Sequence, residues 1–369
     1  MTKRKKFLFK CLIVLFTYLL IELTCFIFIK TGYIPAKLPS FRYVAINDFS
    51  MNLVPHPGWG IWHKPGHFVY QDGCIDIDNL YNTYGTRDIV REKKSDDTNR
   101  VILLGDSFVE GFGVKEEKRF SSRLEKETGR SMMNFGCNSF GALQSVMMYE
   151  QLGRAYDHST ILWGIFPFND IPDDDREITG SDDTFKPYAI KNDSGYSIKF
   201  LGSYTPADSV NKKATGTVKE KTVRLLKAFT CWYNIISYLK LKKQENKKMS
   251  NPDTKYPSYY YDYTPEQADR LKFIVNKLRI AAPGKRIIIF AIPVVQDFLR
   301  REKEKKEPPL SMELKKICYE NNIEYLDLLP QILTAPGSFR QYYFYCDPHW
   351  NESGHLLVND ILKKQLNTK

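Results

Sequence analysis

The chain has 369 residues, a formal net charge of +11 and seven cysteines. Residues 1–30 hold six Lys/Arg and one Glu, which leaves +6 for the rest, and no nucleic-acid motif accompanies that modest charge, so no nucleic-acid partner is expected. Cys11 and Cys25 lie in this first stretch. The other five, Cys74, Cys137, Cys231, Cys318 and Cys346, are odd in number and irregularly spaced, which argues against a metal cluster or a disulfide framework and leaves one or two bridges open.

Lys3, Arg4, Lys5 and Lys6 precede an apolar run from Cys11 to Ile29, broken only by a few hydroxyls and Glu22. At a rise of about 1.5 Å per residue the run just crosses a hydrocarbon core of about 30 Å. We expect residues 1–30 to be a cytoplasmic tip and one membrane-spanning anchor. The basic cluster before the helix leaves the amino terminus cytoplasmic and everything beyond Lys30 outside. A cleaved signal peptide is the rival reading, but its apolar core would be shorter, and no small-x-small site follows. Glu22 either snorkels or marks a helix–helix or partner contact.

Residues 31–98 are rich in Gly, Pro, Trp and Tyr, with an alternating piece at Gly66–Tyr70 and a turn signal at Asn82–Asp88. They predict a small β-rich prefix that ends in the charged linker Arg91–Thr98. His56, His63 and His67 fall inside it at irregular spacing, with no Cys or carboxylate in step, so packing or surface roles are expected rather than zinc ligation.

From residue 100 strands and helices alternate. Strands are predicted at 101–104, 132–135, 160–166, 286–292 and 323–326. Helices are predicted at 118–128, 142–154, 265–281, 308–321 and 352–365. Such alternation predicts a parallel sheet covered on both faces, with right-handed crossovers that gather the strand-to-helix loops at one edge. Residues 171–264 break the rhythm as a large insertion, with a helix over about 218–245 and a tyrosine run between Tyr256 and Tyr263. An insertion there would form a lid or substrate wall, and its tyrosines would either stack on sugar rings or pack internally.

The chemistry-bearing stretch is Arg100–Gly113. An apolar strand, Val101–Leu104, stops at Gly105-Asp106-Ser107, so Ser107 sits at a strand's carboxyl end, the edge where open α/β sheets bind ligands. A G-D-S tripeptide alone is weak evidence, expected by chance in on the order of one chain in ten of this length. Three further blocks follow it in order. They are Asn134-Phe-Gly136-Cys-Asn-Ser139-Phe-Gly141, then Gly164-Ile-Phe-Pro-Phe-Asn169-Asp170, then Asp347-Pro-His349. A serine hydroxyl needs a base to take its proton and a group to orient that base. His349 is the candidate base. Asp347 lies two residues before it, on the same face if the segment is extended, so its carboxylate meets Nδ1–H while Nε2 turns to Ser107. Alternatively, D-P-H is only a turn that opens the last helix, with Asn351 or Ser353 as its cap.

This ordered set of blocks resembles the SGNH (GDSL-type) hydrolase family over roughly residues 98–365. The resemblance implies a flavodoxin-like three-layer α/β/α fold over residues 99–369, interrupted by the insertion. It also implies three oxyanion donors, namely the Ser107 N–H, the Ser139 N–H and the Asn169 side-chain amide. Two positions depart from the family pattern: Ser139 stands where the oxyanion glycine is usual, and Phe168 stands where glycine is common. Asp170 is expected to brace its loop. An α/β-hydrolase elbow is excluded because position 109 is Val where G-x-S-x-G requires Gly. No phosphate-cradling loop, dinucleotide fingerprint or H-E-x-x-H occurs, and no cofactor or metal is expected.

The function expected from these readings is an extracytoplasmic serine esterase. It would remove or transfer a small acyl group, such as acetyl, on an acylated carbohydrate or another small ester. The alternative is a non-catalytic scaffold of an envelope polysaccharide assembly, and an envelope protein partner is compatible with either.

Overall fold

The computed structural model describes residues 2–40, 52–72, 75–180, 184–206, 217–250 and 258–368. In chain order the helix α1 (Lys3–Lys30) is followed by the strands β1 (Leu53–His56), β2 (Gly60–His63), β3 (Gly66–Asp72), β4 (Ile75–Tyr81) and β5 (Val101–Leu104). Next come α2 (Ser107–Glu110), α3 (Phe120–Thr128), β6 (Met132–Asn134), α4 (Ala142–Gln151), β7 (Thr160–Ile165), α5 (Pro167–Asp173) and α6 (Arg176–Thr179). The hairpin β8 (Lys186–Asn192) and β9 (Gly195–Leu201) precedes α7 (Val218–Phe229), α8 (Cys231–Ser250) and α9 (Pro265–Ala281). The chain ends with β10 (Arg286–Ala291), α10 (Val295–Glu304), α11 (Pro309–Glu320), β11 (Glu324–Asp327), α12 (Leu328–Leu333) and α13 (Glu352–Asn367).

Contacts divide the chain into two units. The first comprises Met1–Phe49, Val69–Asp76 and Lys212–Thr254, and the second Ser50–Phe68, Ile77–Asn211 and Lys255–Lys369.

In the second unit five parallel strands form a sheet in the order β11-β10-β7-β5-β6. Counted along the chain this is 2-1-3-4-5, the flavodoxin-like order. All four residues of β5 and all six of β7 are buried, as expected of parallel strands covered on both faces. α4 packs beside α9 and α9 beside α11, while α3 packs on α13. Right-handed crossovers explain the grouping: the step from β5 to β6 runs one way and the later steps run back, which puts α3 on one face and α4, α9 and α11 on the other. Between β5 and β7 the direction reverses, and the loops that follow these two strands diverge around a crevice.

The prefix supplies two antiparallel ribbons, β1 with β2 and β3 with β4. Its histidines go separate ways. His56 stacks on Trp59, His63 is buried, and His67 pairs with Asp78 at the surface. Of the cysteines, Cys346 is disulfide-bonded, Cys11, Cys25, Cys137, Cys231 and Cys318 are free, and Cys74 lies outside the described residues.

One expectation for the insertion changes. The helix expected over about 218–245 is two helices, broken at Thr230, with α8 starting afresh at Cys231. Of the two readings of the tyrosine run, internal packing describes Tyr260, and its described neighbours are half-buried. Tyr260 is fully buried, Tyr259, Tyr261 and Tyr263 lie against the core, and the Tyr261 hydroxyl donates to the Lys306 carbonyl. Tyr256 lies outside the described residues.

In the first unit α8 packs on both α1 and α7. α1 is long and apolar enough to cross a membrane.

Candidate active site

Ser107 follows β5 as the first residue of α2, and Asp106 caps that short helix by accepting from the Phe108 N–H at 2.9 Å. The turn is tight because Gly105 has φ +149°, and a Cβ there would lie 2.9 Å from the Gly164 carbonyl on β7. Ser107 is left 6% exposed. Its Oγ lies 2.6 Å from His349 Nε2, across 242 residues of chain, and His349 Nδ1 lies 2.5 Å from Asp347 Oδ1. The three expected residues are therefore joined in series by hydrogen bonds.

How Asp347 reaches His349 differs from the extended segment expected. The His349 backbone N–H also donates to Asp347 Oδ1, at 2.9 Å, so one carboxylate oxygen holds both the main chain and the ring of His349 in a turn. That turn is closed at its ends by the Phe344 N–H donating to the His349 carbonyl and by the bridge between Tyr343 and Trp350. Asn351 is indeed the cap of α13, so the turn both presents His349 and opens the helix. Phe108 and Phe112 flank the imidazole at centroid distances of 4.7 and 4.8 Å.

The second block wraps around α2. Asn134 donates through Nδ2 to the Val109 carbonyl, at 2.8 Å, and accepts the Gly136 N–H through Oδ1. Gly136 has no room for a side chain, since a Cβ would lie 2.3 Å from the Glu110 backbone nitrogen. Ser139 adopts φ +65°, the left-handed region in which a glycine would be unstrained, and its hydroxyl donates to Asn138 Oδ1 at 2.9 Å. That local bond suits a polar residue replacing glycine there. Among the described residues neither the Ser107 nor the Ser139 backbone N–H has a protein acceptor. Asn169, on α5 after β7, donates through Nδ2 to the Phe140 carbonyl at 3.1 Å, which holds the third block against the second. Asp170 accepts the Phe166 N–H at 2.7 Å and braces that loop. Phe168 is exposed at the start of the same helix.

Beneath these loops lies a buried charged cluster that the sequence motifs do not reveal. Glu110, 1% exposed, accepts from the Tyr81 hydroxyl at 2.6 Å and from the Asn138 N–H at 2.7 Å, and His63 Nε2 lies 3.5 Å away. Glu110 thereby holds the residue immediately before Ser139. Arg87 donates to the Gly111 and Val114 carbonyls, and Arg119 donates to the Arg87 carbonyl, so two buried guanidinium groups lock the chain that leaves α2. Burial and the neighbouring Arg119 push Arg87 down to about 10, and burial holds His63 below its ordinary value despite Glu110. The only sequence signal for this cluster was a Glu inside an otherwise apolar and glycine-rich motif.

A second buried group is acidic. Burial raises Asp106 and Asp170, with each other's and neighbouring charges adding to the effect on Asp170, and burial raises Asp174 to about 7. Asp174 accepts the Leu143 N–H at the start of α4.

The motif loops thus stand at the carboxyl ends of β5, β6 and β7, in the order and around the crevice that the sequence resemblance implies. The chain has the fold of the SGNH (GDSL-type) hydrolases. No family model and no curated protein matches it. Among solved structures it is similar to a lipase/acylhydrolase from Enterococcus faecalis, at 8% identity and TM-score 0.38, covering 73% of this chain and 95% of that one. It is also similar to a member of the lipolytic protein G-D-S-L family from Veillonella parvula, at 14% identity and TM-score 0.36, covering 72% and 96%. A third is a carbohydrate esterase family 2 enzyme with a carbohydrate binding domain from Corynascus thermopiles (Myceliophthora fergusii), at 12% identity and TM-score 0.38, covering 75% and 68%. The functional reading of the site rests on its own geometry.

Two outcomes are expected from this electrostatic layout. Glu110→Ala orphans the Asn138 N–H and the Tyr81 hydroxyl, and should lower unfolding free energy by about 3 kcal/mol, with Glu110→Gln losing clearly less because it keeps an acceptor. Denaturant unfolding measures both, and equal losses would contradict the assigned role. For Asp174 the folded-state pKa of about 7 lies above the ordinary 3.8, so the folded state holds the proton more tightly and ionisation opposes folding as pH rises toward 7. Asp174→Asn should therefore raise the melting temperature more at pH 8 than at pH 5. An equal change at the two pH values would contradict this.

Proposed function

We propose that the chain is a membrane-anchored serine esterase that acts outside the cytoplasm on small acyl esters, acetyl among them, of a carbohydrate. The observation that carries the chemistry is the unbroken series from Ser107 Oγ to His349 Nε2, at 2.6 Å, and from His349 Nδ1 to Asp347 Oδ1, at 2.5 Å. The carbohydrate acceptor enters with the resemblance to the SGNH family.

In this reading Ser107 Oγ attacks the ester carbonyl while His349 Nε2 takes its proton, and Asp347 steadies the imidazolium through Nδ1–H. The backbone N–H groups of Ser107 and Ser139, with an N–H of Asn169, hold the developing oxyanion. Collapse breaks the ester bond, and His349 returns the proton to the leaving hydroxyl. Water, or a second sugar hydroxyl, then attacks the acyl group on Ser107, with His349 again as base. Hydrolysis and transfer differ only in that last nucleophile. Phe112 lies 4.8 Å from the His349 ring, and Phe166 packs on Phe108 beside it, an aromatic wall that favours a short acyl chain.

Two features support the compartment. The basic residues Lys3 to Lys6 in the first turns of α1 favour a cytoplasmic amino terminus, and the disulfide at Cys346, next to Asp347, suits an oxidising environment.

The test is turnover of p-nitrophenyl esters of increasing chain length by the full chain in detergent. Acetate should be hydrolysed faster than octanoate, and Ser107→Ala or His349→Ala should each lower kcat/KM by on the order of 10⁴-fold. A folded Ser107→Ala protein that retains turnover would refute the nucleophile. A folded wild-type protein inert to every ester, whose cellular role survives Ser107→Ala, would favour the scaffold reading.

A further inference from the structure

Proton transfer from Ser107 needs His349 Nε2 at a fixed distance from Ser107 Oγ, and 242 residues of chain separate the two. Ser107 is placed by β5, which it follows. His349 lies in a turn closed by the Tyr343–Trp350 bridge and by the Phe344 N–H on the His349 carbonyl. Those bonds order the turn within itself. Its seat on the sheet has to come from elsewhere.

Aromatic packing supplies part of that seat. Trp350 meets Phe108 edge-on at 4.8 Å, beside the two rings that flank the imidazole. Apolar burial is non-directional, so it resists separation better than it resists sliding. A hydrogen bond constrains both distance and angle.

Tyr343 makes such a bond. Its hydroxyl donates to the Pro293 carbonyl at 2.7 Å, and the residue is buried. Burial pushes the hydroxyl above its usual pKa, so it stays a donor. The acceptor is held from both sides. The Ile292 N–H donates to the Ile165 carbonyl at the end of β7, at 2.8 Å. The Val294 N–H donates to Asp297 Oδ2 at 2.8 Å, and Asp297 Oδ1 accepts the Ser258 hydroxyl. Proline has no N–H, so the bonds of its neighbours place its carbonyl. On the turn side, Asn351 Nδ2 donates to the Tyr343 carbonyl at 2.9 Å, which ties the tyrosine main chain to the cap of α13.

These contacts close a path. Ser107 follows β5, β5 pairs with β7, Ile165 of β7 accepts from Ile292, Pro293 accepts from Tyr343, and Tyr343 bridges to Trp350, the neighbour of His349. We propose that Tyr343 is a positioning residue whose hydrogen bond to Pro293 sets His349 at its working distance from Ser107. It acts through the turn and touches no reacting atom. The proposal rests on the serine-esterase reading. A misplacement of about 1 Å in a reacting group costs on the order of a hundred-fold in rate, so even a partial shift of the imidazole is measurable.

The experiment compares the full chain with its Tyr343→Phe and Phe298→Leu variants in detergent, by p-nitrophenyl acetate turnover, fluorophosphonate labelling of Ser107 and denaturant unfolding. Tyr343→Phe keeps the ring and loses the bond. It should lower kcat by on the order of ten-fold with KM changed by less than about two-fold, and slow the labelling by a similar factor. Phe298 packs edge-on against the Tyr343 ring at 6.0 Å. Phe298→Leu loses that packing but not the bond, so it should be destabilised and keep its kcat. Wild-type kcat and labelling in Tyr343→Phe, or equal losses of kcat in both variants, would overturn the proposal and leave the esterase reading intact. Replacing Tyr343 by p-aminophenylalanine retains a donor at the ring tip and should keep kcat within about three-fold of wild type. A folded protein of that kind with kcat down on the order of ten-fold would overturn the proposal even where Tyr343→Phe does not fold. A wild type inert to both reagents would remove the esterase reading and the positioning role together.

Discussion

A parallel sheet buried on both faces constrains everything else in the second unit. Because β5 and β7 are buried along their whole length, helices must cover both sides, and right-handed crossovers then force every strand-to-helix loop to the same edge. The reversal of direction between β5 and β7 opens a crevice at that edge. Ser107 leaves β5 on one side of it and Asn169 leaves β7 on the other. His349 arrives from a closed turn more than two hundred residues later. No local feature of the Ser107 segment would bring these groups together without that topology.

The second constraint is electrostatic. A short helix of four residues cannot hold a serine by its own hydrogen bonds, and here it is held by buried charge. Glu110 gathers the Asn138 N–H and the Tyr81 hydroxyl, while Arg87 and Arg119 take the carbonyls and chain that follow. Each of these ions is costly to bury and becomes tolerable because its hydrogen-bonding capacity is used. The result is a hydrogen-bonded base under the Ser107 and Ser139 N–H groups, the two backbone donors proposed for the oxyanion. The β-rich prefix, which carries His63, Tyr81 and Arg87, is therefore part of the site's foundation.

Much of this was legible in the sequence, for identifiable reasons. The strand Val101–Leu104 and the stretches 161–165 and 287–291 are continuous apolar runs, and Thr264 before α9, with Pro265 and Gln267 in its first turn, is a start signal that the structure uses as a capping box. The serine, histidine and aspartate are legible from residue type, the spacing of Asp347 and His349, and the family resemblance of the ordered blocks. What escaped was whatever depends on tertiary context. The helix α10 is too charged to show an apolar face clearly, and the β8–β9 hairpin carries lysines along both strands. The break at Thr230 has neither Gly nor Pro to mark it. Tyrosine identity does not say whether a ring faces sugar or core, and Tyr260 turned inward. The left-handed Ser139 was visible only as a departure from glycine, and the Glu110 cluster only as a charge out of place. Glu22 was a similar charge out of place, and the structure supplies its partner, the backbone N–H of Cys231 at the start of α8.

The most direct test of the central claim, that Ser107 is a nucleophile activated by His349, is stoichiometric trapping. The full chain in detergent is treated with a fluorophosphonate and its intact mass and peptides are analysed. The account predicts one adduct per chain, located on Ser107, which forms far more slowly in a folded His349→Ala protein. No adduct, an adduct on another residue, or equal labelling without the imidazole would contradict it.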